Sequence, residues 1–358
     1  MQSVIKRQVD DEMKKRGIAT LLVCVMMACL YLVAEKRPQP VEKNQVYIGV
    51  VCYNQSDTFL QELLHCFREK CRAYGEPGYD VTVTIRDAAG SQWIQNDQVE
   101  DLIQEGCNVL CVNLADRTDP SAIIDVAKKN NVPIIFFNRE PVAEDLLQWD
   151  KLYYVGAKAQ QSGMMQGELA ADIIWKNKQV DRNGDGRIQY VVLEGEMGHQ
   201  DAIIRTESAV ETIREKGIEL EKYSYEIANW NRAQAQNRMT QMIAQYQDSI
   251  ELVLANNDAM ALGAIDAYDK LGYAKDKLPV FVGIDGTTEG LKAVQDGKLA
   301  ATVYNDKEGQ AEAMARLALA VVTGEGMDEL EFENQQYIYL PYSKVTPENV
   351  DTYQLMQE

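Results

Sequence analysis

The chain of 358 residues has few of the side chains that several kinds of functional site require. Only two histidines are present, His65 and His199, so a histidine-rich metal site is disfavoured. Lysine and arginine number 36 against 55 aspartates and glutamates, and the net charge of −19 opposes long-range attraction to nucleic acid. Nine prolines and 23 glycines are too few for a collagen-like or disordered chain. The sequence therefore predicts a folded, acidic protein that does not bind nucleic acid.

The seven cysteines lack the even number and regular spacing of a disulfide framework. Several lie in apolar β-like or helical stretches, so buried free thiols are expected. Signatures of two catalytic classes are also missing. Gly195-x-x-Gly198 lacks the spacing and the lysine of a phosphate-binding loop, and no G-x-S-x-G motif occurs. We therefore expect a protein that is not an enzyme, in which His199 serves as a hydrogen-bond donor.

One long uncharged run lies near the N-terminus. Residues 18–34 (IATLLVCVMMACLYLVA) contain no charged side chain, and residues 1–17 before them contain five lysines and arginines. This arrangement is typical of an export or anchor segment, which we place at 1–34 and follow with a polar linker at 35–45. The basic flank predicts that the rest of the chain lies outside the cytoplasm. An uncleaved helix or a lipid on Cys29 would tether it to the outer face of the membrane, and cleavage would release it.

From Val46 onward, short β-branched or aromatic runs alternate with longer amphipathic stretches. One series begins with VYIGVVCY and ends with PIIFFN, and a second ends with LAATVYN. This alternation predicts parallel sheets flanked by helices. We expect an α/β protein of two Rossmann-like lobes joined by a hinge: residues 46–156 with a return segment at about 306–340, and residues 157–305 with the C-terminal tail. Because ligands of open α/β sheets bind beyond the carboxyl ends of the strands, the cleft between the lobes is the expected site.

The residues that follow the predicted strands are amides, carboxylates, an arginine and two aromatic residues. Amides and carboxylates match hydroxyl groups, which both donate and accept hydrogen bonds, and an aromatic ring covers the apolar face of a sugar. Asparagine and aspartate also form turns and helix caps, but capping does not account for His199, Asp201, Arg205 and Trp230. The set therefore favours a polyhydroxylated ring as the ligand.

The stretch from 46 to about 323 resembles the galactose/glucose-binding proteins of bacterial sugar ABC transporters, which have the type I periplasmic-binding fold. The similarity rests, in order, on NVPIIFFNREP, YYVG, DRNGDGRIQYVVLEGEMGHQDAIIR, ANNDAMALGAIDA, VGIDG and TVYND. The resemblance implies capture of D-galactose or D-glucose between the lobes and delivery to ABC permease subunits. It also implies that ten residues contact the sugar, Phe59 and Trp230 by stacking and the others by hydrogen bonds: Asp57, Phe59, Asn138, His199, Asp201, Arg205, Trp230, Asn257, Asp285 and Asn305.

A second motif is a calcium-like loop, DRNGDGRIQ, at residues 181–189. Oxygen-bearing side chains recur at every second position and Gly186 permits a sharp turn, as in the first half of an EF-hand loop. The twelfth position is Val192 instead of the bidentate glutamate, so a remote carboxylate is required. The resemblance implies Glu251 for that role. It implies a structural Ca²⁺ held by the backbone carbonyl of Arg187 and by the side chains of Asp181, Asn183, Asp185, Gln189 and Glu251.

Two other functions share a core of two lobes. A LacI-type repressor would need a helix-turn-helix at the N-terminus, where this chain has its apolar segment. A sensor subunit that presents bound sugar to a chemoreceptor or a sensor kinase would also be exported, and the sequence does not separate this role from transport. In either extracytoplasmic role we expect a monomer.

Overall fold

The computed structural model describes residues 44–75 and 78–355. The predicted export segment and Cys29 lie outside these residues, and none of the described helices has the length and apolar character that a bilayer span requires. From Gln45 onward the chain forms one compact unit. Its strands are β1 (Asn44–Cys52), β2 (Tyr79–Asp87), β3 (Val109–Val112), β4 (Ile134–Phe137), β5 (Leu152–Gly156), β6 (Ile188–Glu194), β7 (Leu220–Ile227), β8 (Leu252–Ala255), β9 (Val280–Val282), β10 (Thr302–Asn305), β11 (Tyr337–Tyr339) and β12 (Tyr342–Val345).

The helices begin where short polar side chains can cap them. Ser91, Asn231 and Asn257 each accept the backbone N–H of the residue three positions later, which satisfies a donor that the first helical turn leaves free. The helices are α1 (Thr58–Gly75), α2 (Gln92–Gln104), α3 (Ser121–Asn130), α4 (Ala143–Leu146), α5 (Ala159–Lys176), α6 (Gln200–Glu215), α7 (Arg232–Tyr246), α8 (Asp258–Leu271), α9 (Thr288–Gln295), α10 (Lys307–Thr323) and α11 (Val350–Leu355).

Two separate sheets form the cores of two lobes. The first has the order β11-β5-β4-β3-β1-β2, with parallel pairs from β11 to β1. The second has the order β7-β6-β8-β9, and its pairs are parallel. Apolar clusters lie on both faces of each sheet, so β3, β4 and β8 are apolar runs buried throughout. The predicted α/β architecture of two lobes is confirmed.

The chain passes between the lobes at three places: from β5 to α5, from β10 to α10 and from β11 to β12. Helix α10 returns to the first lobe, where Glu312 bonds to Tyr74 of α1, and β11 extends the first sheet beside β5. The last segment belongs to the second lobe, because β12 pairs with β10 and Gln295 of α9 bonds to Asp351 of α11. The part of the chain after β10 is thus divided between the lobes.

The boundary between the two predicted lobes follows a strand. Tyr153 to Gly156 belong to β5 and are buried between β4 and β11. The pairing of β5 with β11 joins residues far apart in the chain, such as Tyr154 and Tyr337. The five cysteines among the described residues are free thiols, and all but Cys66 are buried, as predicted.

Candidate ligand-binding site

A cavity lies where the carboxyl ends of the strands of both lobes meet. The space between its side chains, including the part that is open to solvent, is about 360 Å³. The first lobe contributes residues that follow β1 and β4, and the second contributes residues that follow β6, β7, β8 and β9. The cavity is lined by Tyr53, Asp57, Phe59, Asn138, Arg139, His199, Asp201, Arg205, Trp230, Asn257 and Asp285.

Nine of the ten residues that the sequence predicts for ligand contact line this cavity. The tenth, Asn305, lies behind the wall: it is 2% exposed, its backbone N–H donates to the carbonyl of Asp285 (3.0 Å), and its Oδ1 accepts from Gln310 Nε2 (2.6 Å). The structure therefore places Asn305 as a support for Asp285, because the short strand β10 directs its end beneath the wall.

Two lining residues, Tyr53 and Arg139, are absent from the predicted set. Each stands at a strand end, directly after β1 or one residue beyond Asn138, so position alone could have indicated them. The Tyr53 hydroxyl donates to Asp57 Oδ2 (2.7 Å), and the Arg139 guanidinium lies 3.4 Å from the centre of the Tyr53 ring. Arg139 also pairs with Glu196 of the second lobe at 2.9 Å. These contacts fix the shape of the first-lobe wall.

The carboxylate of Asp57 has two fixed partners besides the cavity. Its Oδ1 accepts the backbone N–H of Leu60 (3.0 Å) at the start of α1, and its Oδ2 accepts the Tyr53 hydroxyl. Asn138, with a positive φ of 61°, is oriented by Asn113, whose Nδ2 donates to its Oδ1 (3.0 Å). Both side chains therefore reach the cavity already held by neighbours of their own lobe.

Arg205 is the centre of the second-lobe wall. It is 5% exposed, Nη1 donates to the carbonyl of Asn256 (2.7 Å), and Nη2 donates to the hydroxyl of Tyr342 (3.1 Å). Its Nη1 lies 3.7 Å from Asp285 Oδ1. Burial raises the pKa of Asp285 well above its usual range although Arg205 opposes the rise, and burial likewise raises the pKa of Asp201. The wall is thus a network of buried charges.

His199 is a neutral donor in this wall. Its Nδ1 accepts the backbone N–H of Asp201 (3.2 Å), which leaves the proton on Nε2. Burial, together with Arg139 and Arg205, lowers the pKa of His199 to about 2. The imidazole therefore stays uncharged at ordinary pH, and the predicted role of His199 as a hydrogen-bond donor agrees with this geometry.

The two aromatic residues that the sequence predicts to stack on the ligand come from opposite lobes. Phe59, on α1, is 3% exposed. Trp230, in the turn after β7, has a positive φ of 58°, and its ring lies 5.2 Å from that of His199. A Cβ atom at Gly195 would overlap the indole ring of Trp230. Glycine at 195 is therefore required for Trp230 to occupy this place.

Loop 181–189 and Glu251 form a second cluster of oxygen atoms, away from the cavity. Asp181 accepts the backbone N–H groups of Gly184 (2.7 Å) and Gly186 (2.9 Å). The Asn183 amide lies 2.9 Å from Asp185 Oδ2 and 3.1 Å from Gln189 Oε1. Glu251, 2% exposed, accepts from the backbone of Arg182 (2.5 Å) and of Gln189 (3.2 Å) and so ties β8 to the loop.

The donor set of this loop fits a hard cation. Among the ion pairs of the described residues, none includes Asp181, Asp185 or Glu251, and the side chains offer carboxylate and amide oxygens, the ligands that calcium prefers. No three carboxylate, histidine or cysteine side chains of the described residues converge by themselves into a metal site. A bound ion would therefore also depend on Asn183 and Gln189.

Comparison with known proteins gives concordant matches. Residues 48–326 match the periplasmic binding protein domain family. The chain is 34% identical over 306 residues to the D-galactose/methyl-galactoside binding periplasmic protein MglB of Haemophilus influenzae, across 85% of this chain and 90% of that protein. It is 30% identical over 277 residues to a putative rhizopine-binding protein of Rhizobium meliloti, across 76% of this chain and 82% of that protein.

A solved structure is similar over nearly the same span. It is an ABC transporter solute binding protein from Bacillus halodurans with bound myo-inositol, which covers 88% of this chain and 99% of its own, with a TM-score of 0.72 and 30% identity. These relatives share the two-lobed fold with this chain and differ among themselves in the small polar molecule that their names report.

Proposed function

The chain belongs to the periplasmic binding protein family, and we propose that it captures D-galactose or D-glucose between its lobes and delivers the sugar to the permease of an ABC transporter. The observation that carries this proposal is the cavity itself, which joins polar groups and aromatic rings from both lobes. A ligand that touches both walls stabilises the closed arrangement by bridging them. No bond is made or broken, so the protein is a binding protein and not an enzyme.

The donors and acceptors of the cavity suit a neutral ring with many hydroxyl groups. Asp57 accepts hydrogen bonds, His199 donates one from Nε2, and Asn138 and Asn257 do both. Phe59 and Trp230 would stack on the two faces of the ring. A hexose is supported over a ribose by the galactose-binding relative from Haemophilus influenzae, which covers more of this chain than the ribose-binding relatives do.

Asp57 is the residue that we assign to the 4-hydroxyl, where the two sugars differ. Each oxygen of an ionised carboxylate accepts from a different direction, so axial and equatorial hydroxyls both find a partner. Asp57→Asn keeps the side-chain size and the Oδ1 cap of α1. It should weaken the binding of D-galactose and of D-glucose by about tenfold. If the variant loses affinity for only one of the two sugars, this assignment is refuted.

Calorimetry of the purified full chain tests the proposed function. The panel is D-galactose, D-glucose, D-ribose, D-allose, xylitol and myo-inositol, with His65→Ala, outside the cavity, as a control for the cavity variants. We expect D-galactose or D-glucose to bind most tightly and to quench the fluorescence of Trp230, with that change lost in Trp230→Phe. Tighter binding of ribose or inositol would overturn the assignment of the sugar.

We further propose that loop 181–189 binds a structural Ca²⁺ through Asp181, Asn183, Asp185, Gln189, Glu251 and the carbonyl of Arg187. The ion would offset most of the negative charge of Asp181, Asp185 and Glu251 and join the loop to β8. Since a ligand of the native state alone stabilises it, EGTA should lower the melting temperature of wild type and leave that of Glu251→Gln unchanged. If wild type melts at the same temperature in EGTA and in calcium, the loop binds no stabilising ion.

For localisation, we propose that residues 18–34 or a lipid on Cys29 tether the protein to the outer face of the membrane. The extracytoplasmic place agrees with the family, and the uncharged run with its basic flank supports the tether. Fractionation with Cys29→Ala separates the two tethers: loss of the membrane-bound form indicates the lipid, and retention indicates the helix. Wild-type protein free in the soluble fraction, with its N-terminus after residue 30, would exclude both.

A further inference from the structure

A second concave region adjoins the cavity at the mouth of the cleft. This outer groove holds about 1040 Å³ of space open to solvent, against about 360 Å³ for the cavity. Its own lining includes Gln92, Asp116, Thr118 and Met197, and it shares Arg139 and His199 with the cavity. The two spaces are therefore separated by side chains alone.

We propose that the outer groove is a second subsite, which receives a hydroxylated substituent attached to the captured monosaccharide, such as the second unit of a disaccharide. The proposal rests on the proposed capture of a sugar in the cavity and extends it to larger ligands. Three observations support the subsite: an ion pair beside both spaces, the polar groups of the groove, and an exposed apolar side chain at the edge of the groove.

One ion pair stands beside both spaces, because Arg139 lines the cavity and the groove and Glu196 lines the groove. Arg139 follows β4 of the first lobe, and its Nη2 meets Glu196, which follows β6 of the second lobe, at 2.9 Å. The side chain of Glu196 is 34% exposed and that of Arg139 is 6% exposed, so a group that displaces Glu196 must hydrogen-bond the buried arginine in its place. Arg139 keeps two other partners, the carbonyl of Ala115 (3.2 Å) and the Tyr53 ring. Ligand hydroxyls can therefore replace Glu196 without releasing Arg139.

The groove contains a hydrogen-bond acceptor and an apolar side chain, two features that sugar-binding sites use. Asp116 accepts hydrogen bonds from the hydroxyl (2.7 Å) and the backbone (2.9 Å) of Thr118, which lower the pKa of its carboxyl and keep it an acceptor. Met197 is 83% exposed and gives the groove an apolar edge against which the C–H face of a sugar can pack. An acceptor and an apolar edge beside the cavity suit a neutral, hydroxylated unit.

Titration of the purified full chain with D-galactose, D-glucose, lactose, melibiose, cellobiose and maltose tests the subsite. Met197→Trp places a larger side chain at the edge of the groove. Leu147→Trp is the matched control, because Leu147 is 78% exposed and lies outside the cavity and the groove. We expect wild type to bind at least one disaccharide. Met197→Trp should weaken that disaccharide by about tenfold and leave the monosaccharide within about twofold. Glu196→Ala should raise the ratio of disaccharide to monosaccharide affinity.

The outcomes separate this inference from the proposed function. Binding of a monosaccharide with no disaccharide of the panel would overturn the subsite and leave sugar capture standing. If Met197→Trp weakens the binding of monosaccharide and disaccharide equally, the subsite is also overturned. The substitution would then affect closure of the lobes and not a contact with the second sugar unit. If neither size binds, sugar capture fails and the subsite fails with it.

Discussion

The two walls of the cavity hold their polar groups in different ways. In the first-lobe wall, Asp57 and Asn138 are oriented by uncharged neighbours, the hydroxyl of Tyr53 and the amide of Asn113. In the second-lobe wall, Arg205 and Asp285 are charges buried to 5% and 4% exposure. Buried charges depend on each other, since the loss of one leaves the other without compensation. Substitutions of these charges in the second wall should therefore reduce stability and affinity together. Substitutions of the hydrogen-bonded residues of the first wall should mainly reduce affinity, except at Arg139, which is itself a charge buried to 5% exposure.

The largest effect is expected for Arg205→Met. This variant removes the hydrogen bonds to Asn256 and Tyr342 and leaves Asp285 without its buried cation. The free energy of unfolding should fall by about 3 to 5 kcal/mol, and sugar binding should be lost. Urea denaturation measures the first quantity and calorimetry the second. Arg316→Met, which breaks an exposed pair with Glu329, serves as control; an equal loss in both variants would remove the distinction between the walls.

A pH-dependent effect follows from Asp258, at the start of α8 in the second lobe. Burial raises the pKa of Asp258 from 3.8 to about 7, although the Thr302 hydroxyl and the Thr287 N–H bond to its carboxylate. Between these two pH values the folded state keeps a proton that the unfolded state has released, so the contribution of Asp258 to stability falls as the pH rises from about 4 to 7.

Asp258→Asn isolates this effect, because its amide cannot ionise and the Thr302 hydroxyl can turn to accept from it. Relative to the variant, wild type should lose roughly 2 to 4 kcal/mol of unfolding free energy between pH 4 and pH 7.5. His199 acts in the opposite direction, since its lowered pKa makes stability fall as the pH drops below 6.5. Because both proteins contain His199, its contribution cancels in the difference between their unfolding free energies. Parallel stability curves would show that Asp258 does not titrate in this range.

Gly195→Ala should have an intermediate effect, also in the second wall. The added methyl group overlaps the Trp230 ring and forces it from its place at a cost of about 1 to 3 kcal/mol. Sugar affinity should fall in parallel, with a change in tryptophan fluorescence. Gly78→Ala adds the same methyl group where no atom lies within 4 Å and should change neither quantity. An unchanged affinity in Gly195→Ala would show that Trp230 does not contact the ligand.

The smallest effect is expected in the first wall, for Tyr53→Phe. The variant deletes one hydrogen bond to Asp57 and keeps the ring that Arg139 covers. Affinity should weaken by about three- to tenfold, with a loss of unfolding free energy of about 1 kcal/mol or less. If Tyr53→Phe destabilises the protein as much as Arg205→Met does, the two walls are alike and the comparison fails.

Much of this site could be predicted because strand ends are visible in the sequence. The apolar runs of β1, β4, β6, β8 and β9 mark where these strands end, and parallel pairing brings the ends of a sheet to one edge. Asn305 also ends a strand and yet is not among the cavity-lining residues; its strand, β10, pairs with the distant strand β12 in a separate sheet of two strands. Arg139, one residue beyond Asn138, also stands at a strand end; what local patterns do not show is its pairing with Glu196 of the other lobe.

The order of strands and helices, the α/β class and the residues at the strand ends are determined by the sequence alone, since periodicity and capping act over a few neighbouring residues. The tertiary structure decided which side chains share a wall, that β11 extends the first sheet beside β5, and that Arg139 pairs with Glu196 of the other lobe next to the outer groove. These features depend on contacts between residues far apart in the chain, which local patterns do not encode. The burial that shifts the pKa values of Asp258 and His199 arises in the same way.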